Sequence, residues 1–471
     1  MKRKTLALCM IVKDEEATIG QAIKSALAVV DEIVVGDTGS SDNTRLIAEG
    51  YGARVIDVPW EDDFAAARNA VLSEARCDWI LVLDADERLQ PVRPVELQKL
   101  MAEPLAAGYR VSLLGNDATR GGEADLQVRL FRNHPYVRYC YPVHETIEIA
   151  LENWATARAL TIAPSPLAVL HDGGDTARVR SRVERNRRLL RDATREYPYE
   201  PYFAYCLAAE TLVMLEDEVL PVAGLRKTEK RLTRAWDNVV GMDGAISREL
   251  GYGPELAGLL GACRLARGDT AGALLVVQQA LDLWHDDLYL RYRRAVAVIA
   301  QLTSAAKKEL TVVSAASLKK RAGRDLEDCL ASAPDASETS DKWRYLYPLR
   351  YLGLLTLAGG DCDAAEERFD KALSLSPLYS HAWLGKADCA RARGEGRRAM
   401  GFYLRAVTTD DSNLSAWVRG CRTLEELGFI DNAKSWRAKA ETLFPEYPGF
   451  RGASDWVSEL LPGKNTVLMP S

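Results

Sequence analysis

Four short apolar runs open the chain, and each ends in an acid or a turn. Leu6–Val12 runs into Lys13-Asp14-Glu15-Glu16, and Glu32-Ile33-Val34-Val35-Gly36 runs into Asp37. Arg54-Val55-Ile56-Asp57-Val58 is a third run, and Trp79–Leu83 leads into Asp84-Ala85-Asp86-Glu87. Each reads as a strand, and Ile80–Leu83, which lacks alternation, as one buried on both faces. The stretches between them carry apolar residues at helical spacing: Ile19, Ala22, Ile23, Ala26 and Leu27, then Leu46, Ile47 and Ala48, then 63–75. Thr38-Gly39-Ser40-Ser41-Asp42-Asn43-Thr44 is a turn that supplies helix caps. Strands alternating with helices predict a parallel sheet with helices on both faces. Further on, residues 108–150 read as a β-hairpin, with strands at Tyr109–Leu114 and Gln127–Arg132 separated by a turn-rich loop at 116–122, and another strand ends at Val169-Leu170-His171.

The second half changes period. Gly360, Gly394 and Gly428 are spaced by 34, as are Ala365, Ala399 and Ala433, Ala372, Ala406 and Ala440, and Trp383 and Trp417. That period, with small residues where helices would cross, resembles tetratricopeptide repeats. Units fall at 346–379, 380–413 and 414–447, with Leu352-Gly353 in the expected place in the first. Leu260-Gly261, Ala273 and Ala280 mark a further unit at 254–287, and 200–240 and 288–335 read as helical but off pattern. Each unit buries its apolar face only against its neighbours, so the array is expected to be a solenoid.

Composition adds bounds. A length of 471 residues suggests about three domains. The net charge of -6 gives no case for nucleic acid as a partner. Nine cysteines form no Cys-x-x-Cys pair, so neither a zinc nor a redox motif is signalled, and reduced thiols in a cytoplasmic setting are expected. Lys2-Arg3-Lys4 before an apolar run imitates a signal peptide. The run is short, however, and acids follow it, so it reads as a strand. No apolar run is long enough for a membrane span.

Right-handed crossovers would put the strand ends at Asp14-Glu15, Asp37, Asp84 and Asp86 along one edge of the sheet. Several acids on one edge repel unless they bind a cation or hydrogen-bond donors. Two Asp at i and i+2 can both reach a hard divalent ion such as Mg²⁺ or Mn²⁺, which often shares its oxygen ligands with substrate phosphates.

Taken together, Cys9-Met10-Ile11-Val12-Lys13-Asp14-Glu15-Glu16, Val34–Thr44, Ala67-Arg68-Asn69 and Leu83–Glu87 resemble the family 2 glycosyltransferases of the GT-A fold. The expected fold class is therefore a GT-A α/β domain followed by an all-α, tetratricopeptide-like solenoid. The boundaries are a catalytic domain at 1–175, an Arg-rich connecting helix and linker at 176–250, degenerate repeats at 251–345, three repeat units at 346–447 and a tail at 448–471.

The resemblance implies roles. Asp37 would accept a hydrogen bond from the nucleotide base, uracil in a UDP-sugar, and Glu15 would line the nucleoside pocket. Arg68 would hold base or ribose, with Asn69 beside it. Asp84 and Asp86 would hold the diphosphate through Mn²⁺ or Mg²⁺, and His171 would complete the metal site. Asp14 stands where this subgroup often has Asn. Residues 108–150 would hold acceptor-side elements beside the hairpin. An inverting transfer needs a carboxylate to deprotonate the acceptor; Glu145, in Tyr141-Pro142-Val143-His144-Glu145-Thr146, occupies the family's usual place for it.

Eight arginines between Arg178 and Arg195 spread around one helix, which favours a solvated connector over an alternative in which one or two reach the diphosphate. The implied activity is metal-dependent transfer from a nucleotide-sugar to a peptide or protein acceptor presented by the repeats. The competing readings are transfer to a cell-surface saccharide or lipid carrier, and a decayed, non-catalytic scaffold. Pairing of two copies through the repeats is left open.

Overall fold

The chain forms two units, Met1–Glu196 and Tyr197–Ser471. The structure is a computed structural model, and it describes residues 3–115, 125–171, 176–212, 222–303, 312–332 and 342–445. The 116–122 loop and the 448–471 tail of the sequence reading lie outside the described residues.

The first unit runs β1 (Leu6–Val12), α1 (Ile19–Ala26), β2 (Glu32–Asp37), α2 (Thr44–Gly50), β3 (Arg54–Asp57), α3 (Phe64–Glu74) and β4 (Trp79–Val82). It continues with β5 (Glu87–Leu89), α4 (Pro94–Ala102), β6 (Ala106–Gly115), β7 (Asp125–Arg132), α5 (Glu148–Thr156), β8 (Thr161–His171) and α6 (Thr176–Glu196). The strands make one sheet in the order β3-β2-β1-β4-β7-β6-β8-β5.

The parallel sheet expected from the sequence is present in β3-β2-β1-β4 and stops there. β7 runs antiparallel to both β4 and β6, and β5 antiparallel to β8. Connection length bears on β6 and β7: the nine residues between them are fewer than the roughly dozen that a parallel crossover needs. The parallel register brings Val12 opposite Asp37, and Asp37 opposite Asp57, so the acidic strand ends do share an edge.

The packing explains the missing alternation. On β1, Leu6, Leu8, Met10 and Val12 join one core with Ile19, Ile23, Leu97 and Met101, while Ala7 and Cys9 join another with Val71, Leu72, Ile80 and Val82. Both faces are covered, so every position is apolar. Gly36 lets α3 approach: a Cβ there would sit 2.5 Å from the Val71 side chain.

α6 belongs to the first unit, which moves the boundary drawn at 175 to 196. It is held by side chains rather than by chain continuity. Leu189 and Leu190 are buried, Arg188 donates twice to Asp62 at 2.7 and 2.8 Å, and Arg185 lies 4.8 Å from the centre of the Phe64 ring.

The second unit is helical among its described residues: α7 (Pro201–Leu212), α8 (Val222–Gly241), α9 (Gly244–Glu249), α10 (Gly253–Ala266), α11 (Thr270–Leu283), α12 (Leu288–Thr303) and α13 (Val312–Ala331). Then come α14 (Lys342–Leu357), α15 (Cys362–Leu375), α16 (Ser380–Ala392), α17 (Gly396–Thr409), α18 (Leu414–Glu426) and α19 (Ile430–Leu443). The pairs α10/α11, α14/α15, α16/α17 and α18/α19 coincide with the four repeat units. Gly268, Gly360, Gly394 and Gly428 make the equivalent turn in each, with φ of 79, 90, 80 and 79°. That left-handed backbone favours glycine, which is why glycine keeps the period. Successive hairpins interlock through Phe369, which fills the space over both Gly353 and Gly385. α16 and α18 are also joined by a buried ion pair between Arg419 and Asp388, to which Tyr403 donates at 2.8 Å. All nine cysteines are free thiols, and no described helix is long and apolar enough to cross a membrane.

Candidate active site

A cleft of about 510 Å³ opens in the first unit where β1 and β4 end. The loop after β1 forms one wall. Asp14, at φ 54°, accepts from the Ser41 amide (2.7 Å) and hydroxyl (3.0 Å), while the Glu15 amide donates to Thr44 Oγ1 at 2.6 Å. Asp14 therefore ties two loops together rather than facing a nucleotide as a free charge. Glu15 lines the cleft, and its Oε2 accepts from the Thr18 hydroxyl at 2.7 Å. Asp37 is buried at the end of β2, with Oδ1 accepting from the Ser40 amide (3.0 Å) and hydroxyl (2.6 Å). Thr38, the next residue, lines the cleft.

α3 begins at an Asp63 cap that accepts from the Ala66 amide at 2.8 Å, and its first turns carry Arg68 and Asn69. Asn69 pairs with both backbone groups of Tyr139, at 2.9 and 2.8 Å, and so fixes the strand-like segment opposite. Arg68 is buried: Nε donates to Glu145 Oε1 at 2.7 Å and Nη2 to Asp84 Oδ1 at 2.8 Å, and its guanidinium lies 5.3 Å from the Tyr139 ring centre. The Arg68 side chain bridges two carboxylates. Burial alone would lower its pKa, but Asp84 and Glu145 outweigh that and hold it firmly charged.

Asp84, Asp86 and Glu87 follow β4. For Asp84, burial works to raise the pKa, yet Arg68 and Arg129 hold the carboxylate well below its usual range. Asp86 is shifted the other way, by burial and by Asp84, against the pull of His171. Glu87, almost fully buried, accepts from Arg129 at 2.6 Å and from the Asp84 amide at 2.9 Å. Burial and the neighbouring Asp84 raise it to about 7. The sequence reading gave no role to Glu87 or Arg129. The available signal was an arginine inside an apolar strand, Val128-Arg129-Leu130-Phe131: such a charge needs a buried partner.

Glu145 sits in a closed loop. Cys140 and Thr146 exchange backbone hydrogen bonds at 2.9 and 3.0 Å, Val143 is buried, and Tyr141 and His144 adopt φ of 74 and 53°. Left-handed backbone at two non-glycine residues costs about 1 kcal/mol or more each and persists only where surrounding contacts impose it. One such contact is the Phe64 amide donating to the Pro142 carbonyl at 2.9 Å. His171, last in β8 and opposite Glu87, places Nδ1 3.6 Å from Asp86 Oδ1.

Asp84, Asp86, Glu145 and His171 therefore share one cleft. Among the described residues, no three acids, histidines or cysteines form a closed metal cluster. Asp84 is turned to Arg68, while Asp86 and His171 face each other just beyond hydrogen-bond distance. A hard carboxylate beside an imidazole, with room left in the cleft, is a donor set that suits Mn²⁺ or Mg²⁺, ions that take further oxygens from phosphate and water.

The Arg-rich helix, exposed at Arg182 and Arg185, also reaches the site. Arg182, Arg185 and Asn186 of α6 line the same cleft. The side chains of Arg178 and Arg180 lie outside the described residues.

An acidic strand-end cleft on an α/β sheet, followed by helical hairpins, defines an α/β domain carried with a repeat array. Residues 7–136 match the family model "Glycosyl transferase family 2". The first unit thus contains a family 2 glycosyltransferase domain, and the second contains helical hairpins, three of them on the 34-residue period of tetratricopeptide-type repeats.

The chain is 36% identical over 203 residues to the TPR repeat-containing protein Synpcc7942_0270 of Synechococcus elongatus, covering 42% of this chain and 50% of that one. It is 33% identical over 114 residues to an uncharacterized glycosyltransferase of Rickettsia bellii, covering 24% and 38%. The chain spans about half or less of the length of these relatives. Among solved structures, glucosyl-3-phosphoglycerate synthase of Mycobacterium tuberculosis, in complex with Mn²⁺, UDP and phosphoglyceric acid, aligns at TM-score 0.29 and 16% identity over 41% of this chain and 78% of that one. A likeness at that level decides nothing about ligands here.

Proposed function

We propose that the protein transfers a sugar, with inversion, from a nucleotide-sugar, a UDP-sugar above others, to a peptide or protein acceptor. The observation that carries this reading is the Arg68 bridge. Residues from β4, α3 and the 141–146 loop, far apart in sequence, meet as Asp84, Arg68 and Glu145 within hydrogen-bond distance.

Glu145 is the general base: it takes the proton of the acceptor hydroxyl or thiol as that atom attacks the anomeric carbon. The bond from that carbon to the diphosphate oxygen breaks on the opposite face, and its electron pair leaves with the diphosphate. Asp84, Asp86 and His171 would hold Mn²⁺ or Mg²⁺, which when bound supplies charge neutralisation at the diphosphate. Asp37 and Glu15 serve the nucleoside end. Arg68 orients Glu145 through the hydrogen bond from its Nε.

The peptide or protein acceptor is supported by the repeats, because stacked helical hairpins present an extended surface suited to polypeptide. The test is Mn²⁺-dependent hydrolysis and binding of UDP-, GDP- and dTDP-sugars by the purified chain, with Asp84→Asn and Asp86→Asn as controls. Turnover lost in both variants supports the reading. No turnover and no nucleotide binding by the unaltered chain would leave the scaffold reading in its place.

A further inference from the structure

Four carboxylates, Glu15, Asp84, Asp86 and Glu145, line the cleft, which makes it a poor host for a diphosphate unless cations offset them. Arg68 is already held between two of the four. The cations not engaged in this way come from α6 and from Lys13. Among the described residues, the side-chain hydrogen-bond partner of Arg185 is the Asn186 oxygen, at 3.4 Å, and Arg182 has no ion-pair partner.

These two arginines are presented by an anchored element. Arg188, one turn beyond Arg185, forks onto Asp62, which also accepts from Trp60 Nε1 at 2.9 Å. Leu189 and Leu190 are buried, and Arg185 is stacked on Phe64. Positions 182, 185, 186 and 189 recur at helical spacing on one face. Arg182 acts electrostatically on Asp86, and Arg185 on Glu145, so the pair spans the two ends of the reacting centre. Burial and the nearby Arg182 push Arg185 below its ordinary pKa, a penalty that an anion seated between them would remove.

We propose that Arg182 and Arg185 form a clamp for the diphosphate of the nucleotide-sugar. The inference rests on the nucleotide-sugar reading above and gives α6 a role in it. As the sugar–oxygen bond breaks, the electron pair settles on the leaving diphosphate oxygen, and two guanidinium groups fixed beside it meet the new charge without rearranging.

The experiment is calorimetric titration of the full chain with UDP, inorganic pyrophosphate and uridine, each in MgCl₂. Arg182→Gln and Arg185→Gln are compared with the unaltered protein, and each variant's melting temperature is recorded. Each substitution is expected to weaken UDP and pyrophosphate about tenfold, as for one lost charge-assisted bond, and to leave uridine within about twofold. Arg→Lys is expected to recover part of the loss.

Unchanged UDP and pyrophosphate affinity in variants that melt like the parent would overturn the clamp. So would an equal loss for uridine, which would mark a general distortion. Should Arg185→Gln melt early through its Phe64 contact, Arg182→Gln, which lacks such a contact, carries the test. If the unaltered chain binds none of the three nor GDP or dTDP, the nucleotide-sugar reading itself fails, an outcome distinct from failure of the clamp alone.

Discussion

Arg68 ties Asp84 to Glu145, donating to both from one guanidinium at 2.8 and 2.7 Å. Its removal takes the shared cation from both acids and leaves Asp84 with Arg129 at 3.6 Å. Arg68→Gln is expected to destabilise the first unit by about 2–4 kcal/mol, toward the low end because Asp84 is 35% exposed. Arg68→Lys is expected to recover little, because a point charge cannot fork to two acids. Urea unfolding of each variant checks this, and equal stability of the Lys variant and the parent would contradict it.

Glu145→Gln keeps an oxygen that can accept from Arg68 Nε, so the fold and nucleotide affinity should stay within about tenfold of the parent. Transfer to acceptor should fall by at least about 100-fold, the usual worth of a positioned base. A large loss of UDP affinity instead would move Glu145 into the nucleotide site.

Metal dependence should divide unequally between the two acids. Asp86 and His171 face each other without an intervening partner, whereas Asp84 is held by Arg68. Asp86→Asn or His171→Ala should abolish most of the Mn²⁺-dependent gain in UDP affinity, on the order of tenfold or more, with little change in folding. The thermal shift produced by Mn²⁺ plus UDP should shrink in parallel and vanish with EDTA. A full shift in both variants would exclude these residues as ligands.

The repeats should be sensitive to acid at Glu366. Burial alone would raise this carboxyl, but a hydrogen bond from Arg393 and the charges of Lys386, Arg393 and Arg398 hold it below its usual value. A lowered folded pKa gives stability that is present above the unfolded value of about 4.5 and is lost as pH falls through the folded value. Glu366→Gln should therefore cost about 1 kcal/mol at pH 7 and less in acid. The check is melting from pH 7 to 3, where the parent and variant curves should converge.

Repeat packing should depend on two glycines. A Cβ at Gly385 would lie 2.3 Å from a Phe369 ring carbon, and one at Gly353 would lie 2.6 Å away. Gly385→Ala should destabilise the second unit by about 1–3 kcal/mol through overpacking. Gly385→Ala combined with Phe369→Leu should recover part of that, a non-additivity readable in a double-mutant cycle.

The strands β1 to β4 and the 34-residue hairpins were legible because their signals are local. A strand covered on both faces must be apolar throughout, and a turn with φ near 80° recurs as glycine. The acids at 84 and 86 were legible for the same reason, standing where an apolar run stops.

Three features were not legible. A hairpin over 108–150 was expected, but its docking beside β4 and the pairing of β5 with β8 depend on how the chain returns to the sheet. The partners of Arg68 depend on the 141–146 loop, folded back from more than 70 residues away. The orientation of α6 depends on Asp62 and Phe64. By itself, the sequence determined β1 to β4, the repeat period and the candidate chemistry, because each follows from neighbours along the chain. Only the tertiary structure decided that Arg68 binds carboxylates and that α6 lines the cleft. A charged side chain takes its partner from whatever the fold brings within about 3 Å, and that distance is not written in sequence spacing.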